Sequence, residues 1–252
     1  MDKQKRNRKL NITPRRLLFC ALLIVFITIG AVAVYNLVII NARYSAAQNE
    51  YADLRQYAPA TTPEQRPAGQ TPTGEPEGAS EPGVAREAEP ETMSLDLSAI
   101  NPDYIGWIRI EGTNIDYPVV QTTNNVKYLN TTFRGERNNS GTIFMDSEST
   151  EGFSGFAILH GHNMKDGTMF AELHSFLDSE FRDTYREIII ILPDGETLAY
   201  QIFDVRLINV DDIDFTLPEN ITGVQDNAGI LVLSTCTFGD RNERLLILAR
   251  QR

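Results

Sequence analysis

Cys236 closes the run Leu231-Val232-Leu233-Ser234-Thr235-Cys236-Thr237, where an apolar, strand-like segment ends on a thiol. The chain holds 2 cysteines, and the other, Cys20, lies inside an apolar stretch, so no disulfide is expected between them. An unpaired thiol in an exported domain is exposed to oxidation, so a chain that keeps one there has a use for it. The bland alternative is a small buried hydrophobe. A thiol becomes a strong nucleophile once ionised, which a neighbouring imidazole or guanidinium favours. The chain has 3 histidines, His160, His162 and His174. His160 and His162 flank Gly161 where a strand-like run ends, and strand alternation allows them to face one side. No third histidine, cysteine or carboxylate at a regular spacing accompanies them, so no metal is expected. His174 falls within a helical stretch, Thr168 to Leu177, and is expected at the surface.

A cationic partner for the thiol lies downstream, in Phe238-Gly239-Asp240-Arg241-Asn242-Glu243-Arg244-Leu245-Leu246. If the cysteine strand and the next strand pair antiparallel across that loop, the start of the second lies beside the end of the first. Arg244 is then the neighbour of Cys236, placed to donate hydrogen bonds to an oxyanion or a substrate carbonyl. Arg241 belongs to the loop and is the weaker candidate.

The elements that must hold these residues are mostly strands. Apolar or β-branched runs cover 104–110, 115–121, 141–146, 156–160, 187–192, 197–208, 229–235 and 244–249, with turn signals such as Pro193-Asp194-Gly195 between them. Pro118 marks its run as an edge or a strand end. Only 124–130 and 168–177 read as helical, and both are short. Strands this dense predict a mostly antiparallel barrel or sandwich decorated by helices. Residues 95–252 suffice for one such domain with a real core.

Residues 17–40 contain no charged residue or histidine and, as a helix of about 36 Å, would cross a bilayer. They are read as an uncleaved transmembrane anchor, because a signal peptide has a shorter apolar core and a small-residue cleavage site. Residues 1–16 form a basic tail expected to stay in the cytoplasm, with everything after Ile40 outside. Residues 41–94 read as a helical continuation followed by a Pro-rich spacer, since 58–94 hold seven of the 12 prolines and almost no large apolar side chain. The first 40 residues carry a formal +6 against −11 for the chain, which leaves −17 on the exported part. That charge argues against nucleic acid or anionic lipid as its partner.

Several segments together resemble the class B sortases. Leu233-Ser234-Thr235-Cys236-Thr237, with Arg244 at the head of the next strand, is similar to the sortase active-site signature. The segment from Gly161 to Phe170 resembles that class's histidine segment. Residues 101–108, 117–121, 125–129 and 141–146 match it too, so the resemblance runs from about residue 95 to the end. It implies an eight-stranded sortase β-barrel with short flanking helices, preceded by one transmembrane helix. It also implies a membrane-anchored cysteine transpeptidase on a Gram-positive-type cell surface, with no cofactor. Its partners would be secreted proteins carrying a C-terminal sorting motif of the Asn-Pro-x-Thr-x kind and a peptidoglycan amine, or a pilin lysine, as acceptor. By the same resemblance Cys236 is the nucleophile, His162 the acid/base, and Arg244 the oxyanion and substrate-positioning group. Asn125, Leu129, Ser234 and Thr235 are substrate-binding candidates, with Thr235 beside the nucleophile near the oxyanion site. His160 departs from the pattern, standing where relatives often carry tyrosine. An L,D-transpeptidase is a rival, but Ser234-Thr235-Cys236 lacks its glycine and Phe238 occupies its arginine position. A non-enzymatic scaffold would leave the thiol and His162 unexplained.

Overall fold

The structure, a computed structural model, describes residues 14–59, 96–211, 218–223, 228–239 and 242–252. The basic tail up to residue 13, most of the Pro-rich spacer, and Arg241 lie outside the described residues. Two compact units divide the chain at Ala46/Ala47.

The first unit contains most of helix α1 (Pro14–Leu54). Its large apolar side chains, among them Phe26, Ile27 and Leu37, are exposed, and the helix is long and apolar enough to cross a membrane.

The second unit is an eight-stranded closed barrel. Its strands are β1 (Tyr104–Ile110), β2 (Asp116–Gln121), β3 (Ile143–Met145), β4 (Phe156–His160), β5 (Glu187–Ile191), β6 (Thr197–Asn209), β7 (Ile230–Cys236) and β8 (Glu243–Gln251). All eight coincide with the runs expected from sequence to within a few residues. Their order around the barrel is β1-β2-β3-β4-β7-β8-β6-β5, and β5 pairs back to β1. The sheet is mostly antiparallel, with two parallel pairs, β2–β3 and β4–β7. Pro118 sits where β2 pairs only β1, because β3 pairing begins at Val119, so its missing N–H interrupts no ladder to β3.

Short helices decorate the barrel: α2 (Leu97–Ile100), α3 (Ser179–Thr184) and α4 (Pro218–Thr222). Asp96 caps α2 and Asp178 caps α3 through their carboxylates. The stretches expected to be helical close as tight 3-10 turns, Lys127–Leu129 and Ala171–Leu177. In the second turn Leu173 and Phe176 are buried. That anchoring draws His174 off the surface: it is half-buried, its Nδ1–H donates to the Ala171 carbonyl, and its ring lies 5.7 Å from that of Phe238. Residues 47–54, the last turns of α1, also belong to the barrel unit. Ala47, Tyr51 and Leu54 are buried, and Tyr51 packs edge-on to Tyr117 and donates to the Gly141 carbonyl.

Strand alternation sorts the side chains of β4, β7 and β8 into two faces. Leu159, Leu231, Leu233, Leu245 and Ile247 share one face and are fully buried. Ile158, Val232, Leu246 and Leu248 share the other and cluster with Ile221 of α4. Arg206 of β6 fastens α4 over that cluster by donating to the Ile221 carbonyl at 2.9 Å. One step further along the same face come His160, Ser234, Cys236 and Arg244.

Candidate active site

The cysteine strand and the final strand pair as expected, and Cys236 and Arg244 are direct antiparallel partners. Such partners project to one face with Cβ atoms about 5 Å apart. Just beyond them the Thr237 N–H donates to the Glu243 carbonyl at 3.3 Å, so the pairing continues into the loop. The Arg244 guanidinium is steadied by its own strand, with one N–H donating to the Glu243 carbonyl at 3.1 Å.

β4 lies parallel to β7 on the other side, with His160 opposite Ser234. The turn after β4 carries His162, and three hydrogen bonds fix it to the end of β7. The Gly161 N–H donates to the Ser234 carbonyl at 3.2 Å. The Thr235 hydroxyl donates to the Gly161 carbonyl at 2.8 Å, and the Asn163 amide donates to the Cys236 carbonyl at 2.9 Å. Gly161 is required by close approach, because a Cβ there would lie 2.5 Å from the Phe170 ring and 2.6 Å from Ile143. Phe170 is fully buried, and its N–H donates to the His162 carbonyl at 2.9 Å.

The His162 ring is oriented from the opposite wall, where Nε2 lies 2.7 Å from the Leu129 carbonyl. A carbonyl only accepts, so Nε2 carries the hydrogen and Nδ1 is the nitrogen left for proton transfer. Leu129 is itself held in place, because its turn is pinned by buried Tyr128. The Tyr128 hydroxyl donates to Asp103 at 2.9 Å and accepts from the Asn101 amide at 2.9 Å.

A cleft of about 290 Å³ opens over these groups, lined in part by Leu129, His160, His162, Ser234, Cys236 and Arg244. Asn125 and Thr235 line it as well, so the structure brings all seven sequence-derived candidates together. Their side chains are not equally available. Asn125 uses both ends of its amide internally, donating to Asp146 at 3.0 Å and accepting from the Ser147 N–H at 2.8 Å. The Thr235 hydroxyl is committed to Gly161, and Ser234 and Thr235 are both buried.

Sequence reasoning missed Asn163, Asp146 and Val210. Asn163 sits next to His162, but its partner, the Cys236 carbonyl, is 73 residues away. Asp146 follows β3 and accepts from His160 Nε2 at 2.8 Å and from the Glu148 N–H at 2.9 Å. Burial opposes its ionisation, yet the bonds from His160, the Glu148 amide and Asn125 hold its carboxyl down to about 2. Val210 extends β6 over the cleft, its N–H donating to the Asn242 carbonyl at 2.8 Å.

A cysteine, a histidine of fixed tautomer and an arginine, converging on one cleft at the rim of a closed eight-stranded barrel, have the make-up of a cysteine acyl-transfer site. Residues 108–252 match the Sortase domain. The chain belongs to the sortase family, and the relatives it matches are sortase B proteins. It is 44% identical to sortase B of Listeria monocytogenes over 87 residues, 34% of this chain and 35% of that protein. It is 39% identical to sortase B of Staphylococcus aureus over 107 residues, 42% of this chain and 43% of that protein. These aligned stretches thus span less than half of either relative. The crystal structure of Clostridium perfringens sortase B superposes with a TM-score of 0.53 at 32% identity, covering 62% of this chain and 97% of that one.

Proposed function

We propose that this protein is a membrane-anchored cysteine transpeptidase that cuts a C-terminal sorting motif in secreted proteins and joins them to a surface amine. The observation that carries the reading is the pairing of Cys236 with Arg244 in a cleft shared with His162, whose Nε2–H is held by the Leu129 carbonyl.

The Cys236 thiol gives its proton to His162 Nδ1, and the thiolate attacks the carbonyl carbon after threonine in a peptide of the Asn-Pro-x-Thr-x kind, giving a tetrahedral oxyanion. Arg244 donates to that oxyanion and to neighbouring peptide carbonyls. As the C–N bond breaks, His162 gives a proton from Nδ1 to the leaving amine, and a thioester remains on Cys236. An incoming amine then attacks the thioester and loses a proton to Nδ1, which regenerates the thiolate and forms the new amide. Asn125 and Leu129 shape the substrate wall, and Ser234 and Thr235 shape the floor beside the nucleophile. The acceptor is a peptidoglycan amine, with a pilin lysine as the variant use. Residues 17–40 span the membrane, the basic tail stays inside, and 95–252 act as the catalytic domain outside.

Intact mass spectrometry after incubation with Asn-Pro-x-Thr-x and Leu-Pro-x-Thr-Gly peptides tests this. A mass gain is expected from one peptide, absent in Cys236→Ala and discharged by an added amine. A folded domain that gains no mass with any peptide refutes the sorting-motif reading.

A further inference from the structure

The cleft holds a second imidazole that the transfer chemistry leaves idle. His160 ends β4, and its ring lies against Phe144 with centroids 5.2 Å apart and planes tilted by 34°. Its Nε2 is 2.8 Å from Asp146 Oδ2, which also accepts from the Asn125 amide at 3.0 Å. The second carboxylate oxygen accepts from the Glu148 N–H at 2.9 Å. An ionised carboxylate only accepts, so His160 Nε2 carries the hydrogen, and in the uncharged ring Nδ1 is an acceptor. No described residue bonds Nδ1. Asn125, on the same wall, has both amide ends occupied. The other titratable or charged groups lining this cleft are His162, Cys236 and Arg244, from the turn after β4, from β7 and from β8.

We propose that His160 is a specificity-determining residue, whose Nδ1 accepts a hydrogen bond from an N–H or O–H on one side chain of the bound peptide while Asp146 fixes the tautomer. The inference rests on the peptide-transfer reading above. Once peptide displaces water from the cleft, a side chain without a donor leaves Nδ1 unpartnered, which costs about ten-fold in acylation. Asn125 acts here through Asp146 rather than on the peptide.

The test measures kcat/KM for acyl-enzyme formation with the accepted sorting peptide. It is repeated with a panel in which each polar residue is replaced in turn by an apolar isostere, threonine by valine for example. Wild type is compared with His160→Gln and His160→Phe. The glutamine keeps a donor for Asp146, and the phenylalanine keeps the stacking on Phe144. At one peptide position, wild type is expected to lose about ten-fold on isostere replacement, and that penalty falls below about two-fold in both variants. KM is expected to carry most of the change. Thermal melts confirm that the compared variants are folded, and His160→Gln carries the test if His160→Phe is not. Equal penalties at every position in wild type and His160→Gln overturn the proposal while leaving the transpeptidase reading intact. A wild-type enzyme that forms no acyl adduct with any peptide overturns that reading, and the inference with it.

Discussion

Replacing Asp146 by asparagine separates the electrostatic contribution of the cleft wall from its packing. The carboxylate is 16% exposed and accepts from His160, Asn125 and the Glu148 amide. Those donors hold it at about 2 instead of its ordinary 3.8, a difference that corresponds to about 2 kcal/mol of stability at neutral pH. The sign follows from the direction: the folded protein binds the proton less readily than the unfolded chain. The contribution is therefore fully present above the unfolded value near 3.8 and is lost as pH falls toward about 2. Urea denaturation of wild type and Asp146→Asn at pH 7, 5, 4 and 3 gives the difference directly. A gap of about 2 kcal/mol is expected at pH 7 and 5, beginning to close at pH 4 and clearly smaller at pH 3. For a compact unit of this size the gap at neutral pH appears as a fall in Tm of about 4–8 °C. A gap of the same size at every pH would mean that the asparagine disturbs only packing, and the charge argument for the wall would fail.

Gly161→Ala forces a methyl group to within 2.5 Å of the Phe170 ring, and is expected to destabilise the barrel by about 1–3 kcal/mol in urea titration while displacing His162. Acylation should fall by more than the loss of folded protein explains. Arg244→Lys keeps the charge opposite Cys236 but loses the planar fork. Acylation monitored by mass spectrometry is expected to slow by about 10²-fold, with the melting temperature within a few degrees of wild type.

The strands were readable because a half-buried sheet must alternate or run apolar over five to seven residues, and these stretches do. The same logic carried Arg244, since a hairpin between two adjacent strands allows few registers and the apolar patterns select one. What the pattern does not encode is which non-neighbouring strands meet. β4 and β7 are separated by β5 and β6, and nothing in the alternation of Phe156–His160 says that Ser234 lies opposite His160. For that reason the partners of Asn163 and Thr235 could not be read from sequence, although each is adjacent to a candidate that was. Asn125 shows the same limit from the other side. Its position in the cleft follows from the resemblance, but the bonds that occupy its amide come from Asp146 and Ser147, on the far side of β3. The two helical stretches failed locally: 3-10 closure buries Leu173 and Phe176 with fewer residues than an α-helix would need.

The chemistry sits where an apolar face runs out of cover. Along β4, β7 and β8, every second residue contributes to one surface, and Ile158, Val232 and Leu246 on that surface are covered by Ile221 of α4. Two residues further along each strand the cover ends, and the same alternation presents His160, Ser234, Cys236 and Arg244 to a cleft instead of to a core. A covered face fixes the register of all three strands, because slipping any one by a residue would expose its apolar set. The packing under α4 thus sets the spacing of the reactive side chains without touching them. The opposite wall needs its own support, since Leu129 and Asn125 lie in and beside a 3-10 turn and not on a strand. Buried Tyr128, with Asn101 and Asp103, supplies that support, and the Leu129 carbonyl passes it on to His162 as a fixed tautomer. One wall is placed by strand register and the other by a buried polar cluster, and His162 is bonded to both: its turn to β7, its ring to Leu129.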